Sequence, residues 1–172
     1  MLRNAVLADV PAILEIYRPY ILHTAITFEY EVPTLEAFTQ RFLRITGDFP
    51  WLVWEENGEI LGYAYGSKAF ERAAYQWDAD LSIYLRQDCR GRGIGKLLYR
   101  ELEAQLQKLG YHVLYGIVTS DNTDSCRFHQ ALGYREIARM ERTGFKFGRW
   151  YDVTWFEKRL QDGTPAHPPL KP

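Results

Sequence analysis

The chain has 172 residues, enough for one domain with a hydrophobic core and too few for two comfortable ones. Its formal net charge of -1 excludes the broad positive field with which many proteins gather nucleic acids. No apolar stretch approaches membrane-spanning length, the start "MLRNAVLADV" lacks a signal-peptide pattern, and Cys89 and Cys126 show no metal-type spacing. We therefore expect a soluble cytoplasmic protein without a bound metal.

The first part of the chain predicts one strand and two helices. "LRNAVLAD" reads as a short strand, after which Asp9 is a plausible N-cap and Pro11 lies in the first helical turn. The loop "TAITFEYEVP" follows, and Thr34 can cap the second helix. Helical spacing gives apolar faces in both helices, formed by Ile13, Leu14, Tyr17 and Ile21 in the first and by Leu35, Phe38, Phe42 and Leu43 in the second.

The middle of the chain predicts a meander of three strands. Two β-rich runs flank Asn57 and Gly58, a pair suited to a tight hairpin turn because both residues tolerate positive φ. "WDADLSIYL" then alternates as a half-buried strand does. One face holds Leu81, Ile83 and Leu85, and the other holds Asp80, Ser82 and Tyr84.

The second half alternates helices and strands. "RGRGIGK" opens a helix that Gly110 ends, with an apolar stripe of Leu97, Leu98, Leu102, Leu106 and Leu109. "YHVLYGIV" predicts a strand that is buried on both faces and parallel to its neighbour. A short helix ending at Gly133 and two strands around a glycine-containing loop follow. We expect a single domain over residues 1–160 and a disordered, proline-rich tail over 161–172.

This order of elements predicts an α/β (α+β) fold with a mixed sheet. A crossover helix connects "WDADLSIYL" and "YHVLYGIV", which makes those strands parallel and places the helix N-terminus at the carboxyl end of the first strand.

The glycine stretch lies at that point and needs an explanation. A P-loop would have glycine and Ser or Thr where this chain has Arg90 and Leu97, and Gly91, Gly93 and Gly95 do not match a dinucleotide fingerprint. What remains is R-x-x-G-x-G at a helix start, where free N–H groups and added cations favour a phosphate. A solvated turn with cations by chance is the alternative.

Six separated segments give the stretch a context: "RNAVLADVPAILEIY", "TFEYEVPT", "ERAAYQWDADLSIYL", "RGRGIGKLLYREL", "NTDSCRFHQALGY" and "GFKFGRWYDVTWFEK". Together they resemble the GNAT acetyltransferases, and most closely the branch of phosphinothricin and methionine sulfone/sulfoximine N-acetyltransferases. The resemblance extends from Arg3 to about Leu160. It implies the GNAT fold, a mostly antiparallel central sheet with a splayed parallel pair and helices on both faces.

The resemblance also implies acetyl-CoA as co-substrate, bound between the splayed strands. Main-chain groups of Ile83, Tyr84 and Leu85 would pair with the pantetheine arm. The pyrophosphate would be held by Arg90, Gly91, Arg92, Gly93, Ile94, Gly95 and Lys96. Asn122 and Ser125 would close the other side, although Asn122 is equally suited to be a helix cap.

Two residues match the family's catalytic positions. Asp80 stands where the family usually has Glu in a V-E-x-x-V-Y-V pattern, and could accept the amine proton directly or through a water. A solvated or substrate-orienting carboxylate is the alternative. His129 lies where many relatives carry a tyrosine thought to protonate the departing thiolate, yet a packed helix histidine fits it as well. A nucleophilic Cys126 is disfavoured, since the sequence shows no histidine and acid to activate it.

For the acceptor, "ERAAYQW" resembles the family segment A-R-N-A-Y-D-W, which implies that Arg72 and Tyr75 face the acceptor's acidic group. Phe28 and Glu29 would form the opposite wall. Lys146 and Trp150 would reach an acceptor site, either that of the same subunit or that of a neighbour, because members of the family are commonly homodimers.

The sequence thus predicts an acetyl-CoA-dependent N-acetyltransferase that acts by direct attack in a ternary complex. Its acceptor would be a small amino-acid-like amine such as phosphinothricin, methionine sulfone or methionine sulfoximine, with no nucleic-acid or membrane partner. Two alternatives stay open: an enzyme that acetylates proteins or peptides, and a non-catalytic domain that senses acetyl-CoA.

Overall fold

The structure is a computed structural model that describes residues 1–89 and 91–172. Its described residues form four α-helices: α1 (Val10–His23), α2 (Leu35–Thr46), α3 (Ile94–Leu109) and α4 (Thr123–Ala131). They also form seven strands: β1 (Leu2–Asn4), β2 (Trp51–Glu56), β3 (Glu59–Lys68), β4 (Asp78–Leu85), β5 (Val113–Thr119), β6 (Arg135–Lys146) and β7 (Arg149–Arg159). The predicted order of elements is confirmed.

All seven strands form one sheet in the order β1-β2-β3-β4-β5-β7-β6. Neighbours pair antiparallel except for β4 and β5, which are parallel and connected by the crossover helix α3. The predicted mixed sheet is therefore confirmed, and the parallel pair lies near its centre.

The parallel pair comes apart after three residues. Asp78, Ala79 and Asp80 lie opposite Val113, Leu114 and Tyr115, and the register ends there. Beyond Asp80, β4 stays paired with β3 as far as Leu85, while β5 stays paired with β7. The sheet thus opens at its middle, directly after Asp80, as the splayed pair requires.

Helices cover the two faces of the sheet and create two hydrophobic cores. On one face α1 and α2 pack against β2 and β3, with Phe38, Phe42, Trp51 and Tyr63 in the contact. On the other face α3 packs through Leu98, Leu102 and Leu106. None of the helices in residues 1–89 and 91–172 combines the length and the apolar character needed to cross a membrane.

Two turns depend on residues that tolerate positive φ. Asn57 and Gly58 have φ of 52° and 80° and form the predicted tight turn between β2 and β3. Gly93 has φ of 79° at the N-cap of α3, a conformation that lets the chain leave β4 and enter the helix within a few residues.

Several local expectations were wrong. The predicted cap of α2 is confirmed, because the Thr34 side chain accepts from the N–H of Ala37. The predicted cap of α1 is wrong, because Asp9 makes no cap bond to that helix and instead pairs with Arg3. The strand β5 is not buried on both faces, because Ile117 is 43% exposed where no helix covers that face. Three leucines predicted in apolar faces are about half exposed: Leu35, Leu43 and Leu97.

Residues 161–172 form no helix or strand, and they contact the domain at a few points. The main-chain N–H of Leu170 donates to Leu109 at 2.7 Å, and the indole N–H of Trp77 donates to the carbonyl of His167 at 3.0 Å. The tail therefore lies beside the end of α3.

Candidate active site

A cleft of about 340 Å³ opens where β4 and β5 separate. Its lining comes from four parts of the chain: α1 and the loop after it, β4, the start of α3, and the start of α4. Half of the twelve residues expected to hold the cofactor line it: Ile83, Leu85, Gly91, Gly95, Asn122 and Ser125. The cleft continues into a narrower cavity of about 60 Å³ that Ser82, Tyr84, Tyr99 and His129 line.

The glycine loop fits a phosphate on its geometry. Gly91 and Gly95 line the cleft, and helix α3 begins there with N–H groups that have no partner in the helix. Arg92 is paired with Glu56 at 2.6 Å, whereas Lys96 is exposed. The buried Ile94 anchors the loop in the core, and Arg90 lies outside the described residues.

Asn122 is a helix cap and also lines the cleft. Its side-chain oxygen accepts from the N–H of Ser125 at 3.2 Å, as an N-cap does. Both interpretations of Asn122 from the sequence are therefore compatible with its position.

Asp80 has the most unusual environment of the predicted catalytic residues. Its Oδ1 is buried and has no hydrogen-bond partner in the part of the chain that the structure describes. Burial raises the pKa of Asp80 to about 7, opposed by a bond from the main-chain N–H of Leu81. A carboxyl group that titrates near neutral pH, next to Leu81 and Ser82 in the lining of the narrower cavity, is suited to take a proton from an amine.

His129 is deeply buried, and both of its ring nitrogens are bonded. Nδ1 lies 2.8 Å from the carbonyl of Ser125, which can only accept, so Nδ1 carries the proton. Nε2 therefore accepts from the hydroxyl of Tyr99 at 2.9 Å. The ring stacks on Phe156 and lies where a Cβ on Gly116 would come within 2.3 Å of it.

Burial lowers the pKa of His129, which keeps the imidazole neutral at pH 7. A neutral ring with both nitrogens engaged has no proton ready for a departing thiolate. The geometry thus favours the packed, hydrogen-bonded histidine over the predicted acid. Burial also raises the pKa of the Cys126 thiol, which opposes a nucleophilic role.

The predicted acceptor residues Arg72 and Tyr75 lie in the loop between β3 and β4. Both are exposed, and a short turn at Ala73–Tyr75 shapes the loop. The ring of Phe70 packs on Tyr75 and, edge-on at 5.5 Å, on Tyr115. Because Tyr115 is the partner of Asp80 in the parallel pair, this loop lies beside the last pair of β4 and β5 before the sheet opens.

Glu29 is held by its neighbours. Its carboxylate accepts from Arg41, at 2.5 Å and 3.2 Å, and from the hydroxyl of Tyr17 at 3.1 Å. Burial raises the pKa of Tyr65, and the nearby Asp80 and Glu29 charges add to that rise.

Lys146 is not placed to bind an acceptor. Its Nζ donates to the carbonyls of Ile21, Thr24 and Thr27, each at 2.8 Å, which uses all three of its N–H groups. The lysine therefore fastens the end of α1 and the loop after it to β6, which is a structural role.

Phe28 belongs to that loop, and Trp150 lies in the β6–β7 hairpin, which the loop contacts where Tyr30 donates to the carbonyl of Phe145. The Phe28 ring fills the space over Gly144, where a Cβ would come within 2.0 Å of it. Trp150 is 49% exposed and packs on Phe145 in the hairpin between β6 and β7. The structure therefore places the predicted acceptor residues in two groups, one beside Asp80 and one at the hairpin.

Sequence reasoning missed three contributors: Tyr20, Arg41 and Tyr99. Tyr20 and Tyr99 lie in helices among apolar residues, so their spacing is that of core residues. Arg41 follows the polar pattern of a solvated helix face. Only the folded chain shows that Tyr20 lines the cleft, that Tyr99 binds His129 and that Arg41 pairs with Glu29.

Within residues 1–89 and 91–172, no group of three or more His, Cys, Asp or Glu side chains is arranged to hold a metal ion.

The chain is similar to known acetyltransferases over almost its whole length. A family model described as acetyltransferase (GNAT) domain matches residues 2–155. The L-methionine sulfoximine/L-methionine sulfone acetyltransferase of Salmonella typhimurium is 34% identical over 164 residues, which are 94% of this chain and 95% of that protein.

Two solved structures share the fold closely. A phosphinothricin acetyltransferase from Sinorhizobium meliloti in complex with AcCoA has a TM-score of 0.92 and 38% identity, covering 98% of this chain and 92% of its own. A ribosomal-protein-alanine N-acetyltransferase from Brucella melitensis has a TM-score of 0.90 and 32% identity, covering 93% and 99%. The opening of the sheet after Asp80 and the similarity to these acetyltransferases point to the same family. The chain belongs to the GNAT family of acetyltransferases.

Proposed function

We propose that this enzyme transfers the acetyl group of acetyl-CoA to the amine of a small amino-acid-like acceptor, of the phosphinothricin, methionine sulfone or methionine sulfoximine type. The observation that carries the proposal is the position of Asp80, whose buried Oδ1 belongs to the last paired residue of β4 before the sheet opens. Relatives with such acceptors in their names support the substrate class.

In this proposal the cleft holds the co-substrate. Main-chain groups of Ile83 and Tyr84 pair with the pantetheine arm, while the loop from Gly91 to Lys96 binds the pyrophosphate. Asn122 and Ser125 close the opposite wall. Acetyl-CoA supplies an activated acyl group as a thioester.

The residues of the chain then serve a direct attack in a ternary complex. Asp80 takes a proton from the acceptor ammonium, which frees the nitrogen lone pair for the new N–C bond. Main-chain N–H groups near Ser82 and Ile83 stabilise the charge that develops on the acyl oxygen. When the C–S bond breaks, the thiolate needs little acid help, because a thiol has a pKa near ~8.5.

Arg72 and Tyr75 bind the acidic group of the acceptor. A guanidinium can contact a carboxylate or phosphinate through two parallel N–H bonds. Their loop lies beside Asp80 through Phe70 and Tyr115, so an amino acid held there by its acid directs its amine toward the base.

The test follows free CoA thiol released from acetyl-CoA with a panel of small amino acids and one peptide. We expect fast release with a phosphinothricin-type acceptor, and a fall of about a hundredfold or more in Asp80→Asn. Asp78→Asn is the matched control on the same strand and should keep its activity. Turnover that survives in Asp80→Asn would remove the base assignment while keeping the enzyme.

The protein-acetylating alternative keeps one supporting observation. The similar Brucella structure is named for a protein substrate, and the Arg72–Tyr75 loop is exposed in this chain. Release with the peptide alone would favour that alternative. Tight acetyl-CoA binding without any release would favour a sensor domain.

We also propose that the enzyme is a cytoplasmic homodimer without nucleic-acid or membrane partners. The edge strand β6 and its hairpin expose several large apolar side chains: Ile137, Met140, Phe145, Phe147 and Trp150. A second copy would cover this surface. Sedimentation should show a dimer that Phe147→Glu weakens, and a monomer at all concentrations would contradict this assembly.

A further inference from the structure

The cleft has two unlike walls, and one polar side chain stands out on the wall formed by α1 and β4. The hydroxyl of Tyr20 donates to the main-chain carbonyl of Leu85 at 2.6 Å. Both residues line the cleft, together with Ile26 and Ile83 on the same side. An apolar wall with one hydroxyl is a place where a ligand's polar group can be bound selectively.

Packing fixes the position of this hydroxyl. The Tyr20 side chain belongs to the core, and its ring lies edge-on to Tyr84 at 5.1 Å. The Thr24 hydroxyl donates to the Tyr20 carbonyl, which tightens the end of α1 behind the ring. A ring held on two sides keeps its oxygen in place without a further entropy cost on binding.

The hydroxyl still has acceptor capacity. A phenol has one donor hydrogen and oxygen lone pairs. The hydrogen is used on Leu85, so an incoming ligand meets the Tyr20 oxygen as an acceptor. The Leu85 carbonyl accepts this bond with one of its two lone pairs, so the tyrosine oxygen adds a second acceptor at the end of β4.

The opposite wall supplies a different polarity. The side-chain oxygen of Asn122 is already bonded to the N–H of Ser125, which leaves its NH₂ group as a donor. The pantetheine arm contains amide groups, each with an N–H donor and a carbonyl acceptor. A buried amide N–H without a partner is costly, so the arm needs an acceptor on the side that Tyr20 occupies.

We propose that Tyr20 is a further cofactor-binding residue, whose hydroxyl oxygen accepts an amide N–H of the pantetheine arm while it donates to Leu85. The inference rests on the proposed binding of acetyl-CoA in this cleft. It assigns to α1 a direct contact with the arm, in addition to the contacts from β4 and the glycine loop.

The experiment measures binding by calorimetry with two ligands: CoA, and phosphoadenosine diphosphate, which is the nucleotide half of CoA without the pantetheine arm. The variant is Tyr20→Phe, which removes only the hydroxyl. The control is Tyr111→Phe, because Tyr111 is also buried and its hydroxyl also donates to a main-chain carbonyl, that of Asp48, away from the cleft.

We expect Tyr20→Phe to bind CoA about three- to tenfold more weakly, the loss of one net hydrogen bond. Its affinity for phosphoadenosine diphosphate should match the wild type, and Tyr111→Phe should bind both ligands normally. Equal CoA affinity in Tyr20→Phe and wild type would overturn the proposal. Equal weakening of both ligands would also overturn it, since Tyr20 would then only shape the cleft. If wild type binds no CoA, the proposed function itself fails.

Discussion

At Asp80, the burial that suits the carboxyl group to the proposed role of base also makes the charged carboxylate costly to the fold. The unfolded chain releases this proton near pH 3.8, whereas the folded chain keeps it up to about pH 7. Between these values the folded state binds more protons, so ionisation lowers the free energy of unfolding as the pH rises. Above pH 7 the penalty is complete.

Asp80→Asn should therefore be more stable than wild type at pH 8. A difference of about three pKa units corresponds to up to about 4 kcal/mol. The gain should shrink as the pH falls toward 3.8 and vanish well below it, where the carboxyl is neutral in both the folded and the unfolded chain. Urea unfolding at pH 4.5 and pH 8 measures it, with the exposed Asp162→Asn as control. A gain that does not change with pH would contradict the buried-charge explanation.

Lys146 provides a second prediction for a single residue. Lys146→Met keeps the aliphatic stem but leaves the carbonyls of Ile21, Thr24 and Thr27 without their donor. We expect the free energy of unfolding to fall by about 2–4 kcal/mol, as for buried acceptors that lose a partner. Denaturation by urea measures this.

The exposed Lys108→Met is the control for Lys146→Met and should change stability by less than about 0.5 kcal/mol. An unchanged stability with a raised KM for the acceptor would instead restore the substrate-binding role that the sequence predicts for Lys146.

These two residues show what the sequence could predict about the site. The position of Asp80 follows from alternation along its strand and from the crossover, whereas its role as a base is implied by the family resemblance. Lys146 could not be assigned, because its partners are more than a hundred residues away in the chain. Residue type and spacing do not distinguish a lysine that binds a ligand from one that donates hydrogen bonds to three main-chain carbonyls.

At the level of elements, the start of α3 must serve both the helix and the cleft. A Cβ on Gly95 would meet the side chains of Ile83, Leu85 and Phe128 at ordinary contact distances of 3.4–3.5 Å. The folded chain can therefore accept a methyl group there, but that methyl group would occupy space in the cleft.

Gly95→Ala should keep or slightly raise stability, by about 0.5–1 kcal/mol, because alanine favours the helix over glycine. Its affinity for CoA should fall by about tenfold, since the ligand would have to shift away from the added methyl group. Calorimetry and thermal unfolding measure the two effects. Gly47→Ala is the control, because its added Cβ meets only α2 carbonyls at 3.5 and 3.6 Å. A variant that binds CoA normally would show that Gly95 does not contact the ligand.

Elements with a local cause were predictable, and those with a distant cause were not. The turn at Asn57 and Gly58 follows from the backbone freedom of two residues. The exposure of Ile117 in β5 does not, because it depends on α1 and α2 covering only the first half of the sheet. A near-continuous apolar run indicates a strand without showing which of its faces is covered.

For the molecule as a whole, the boundary at residue 160 is testable. The tail has a few polar contacts with the domain, such as the Lys171–Asp48 ion pair at 2.8 Å between exposed side chains. Exposed ion pairs and single hydrogen bonds contribute little. A chain ending at Leu160 should therefore fold, lose only about 1–2 kcal/mol of stability and keep its rate of thiol release. Loss of cooperative unfolding in urea would show that the tail belongs to the domain.

Because the pairing of β4 with β5 ends after three residues, the sheet consists of two half-sheets with a short connection. Strands β1 to β4 form one half-sheet and β5 to β7 the other, and three residue pairs join them beside the crossover helix. Widening the gap beyond Asp80 breaks no sheet hydrogen bond, so in that region the half-sheets are connected through other contacts, such as the bonds from Lys146 in β6 to the end of α1. Amides on the facing edges should exchange with deuterium faster than those along the β3–β4 and β5–β7 pairs. A ligand seated in the gap would act as a missing strand and slow that exchange on both sides at once.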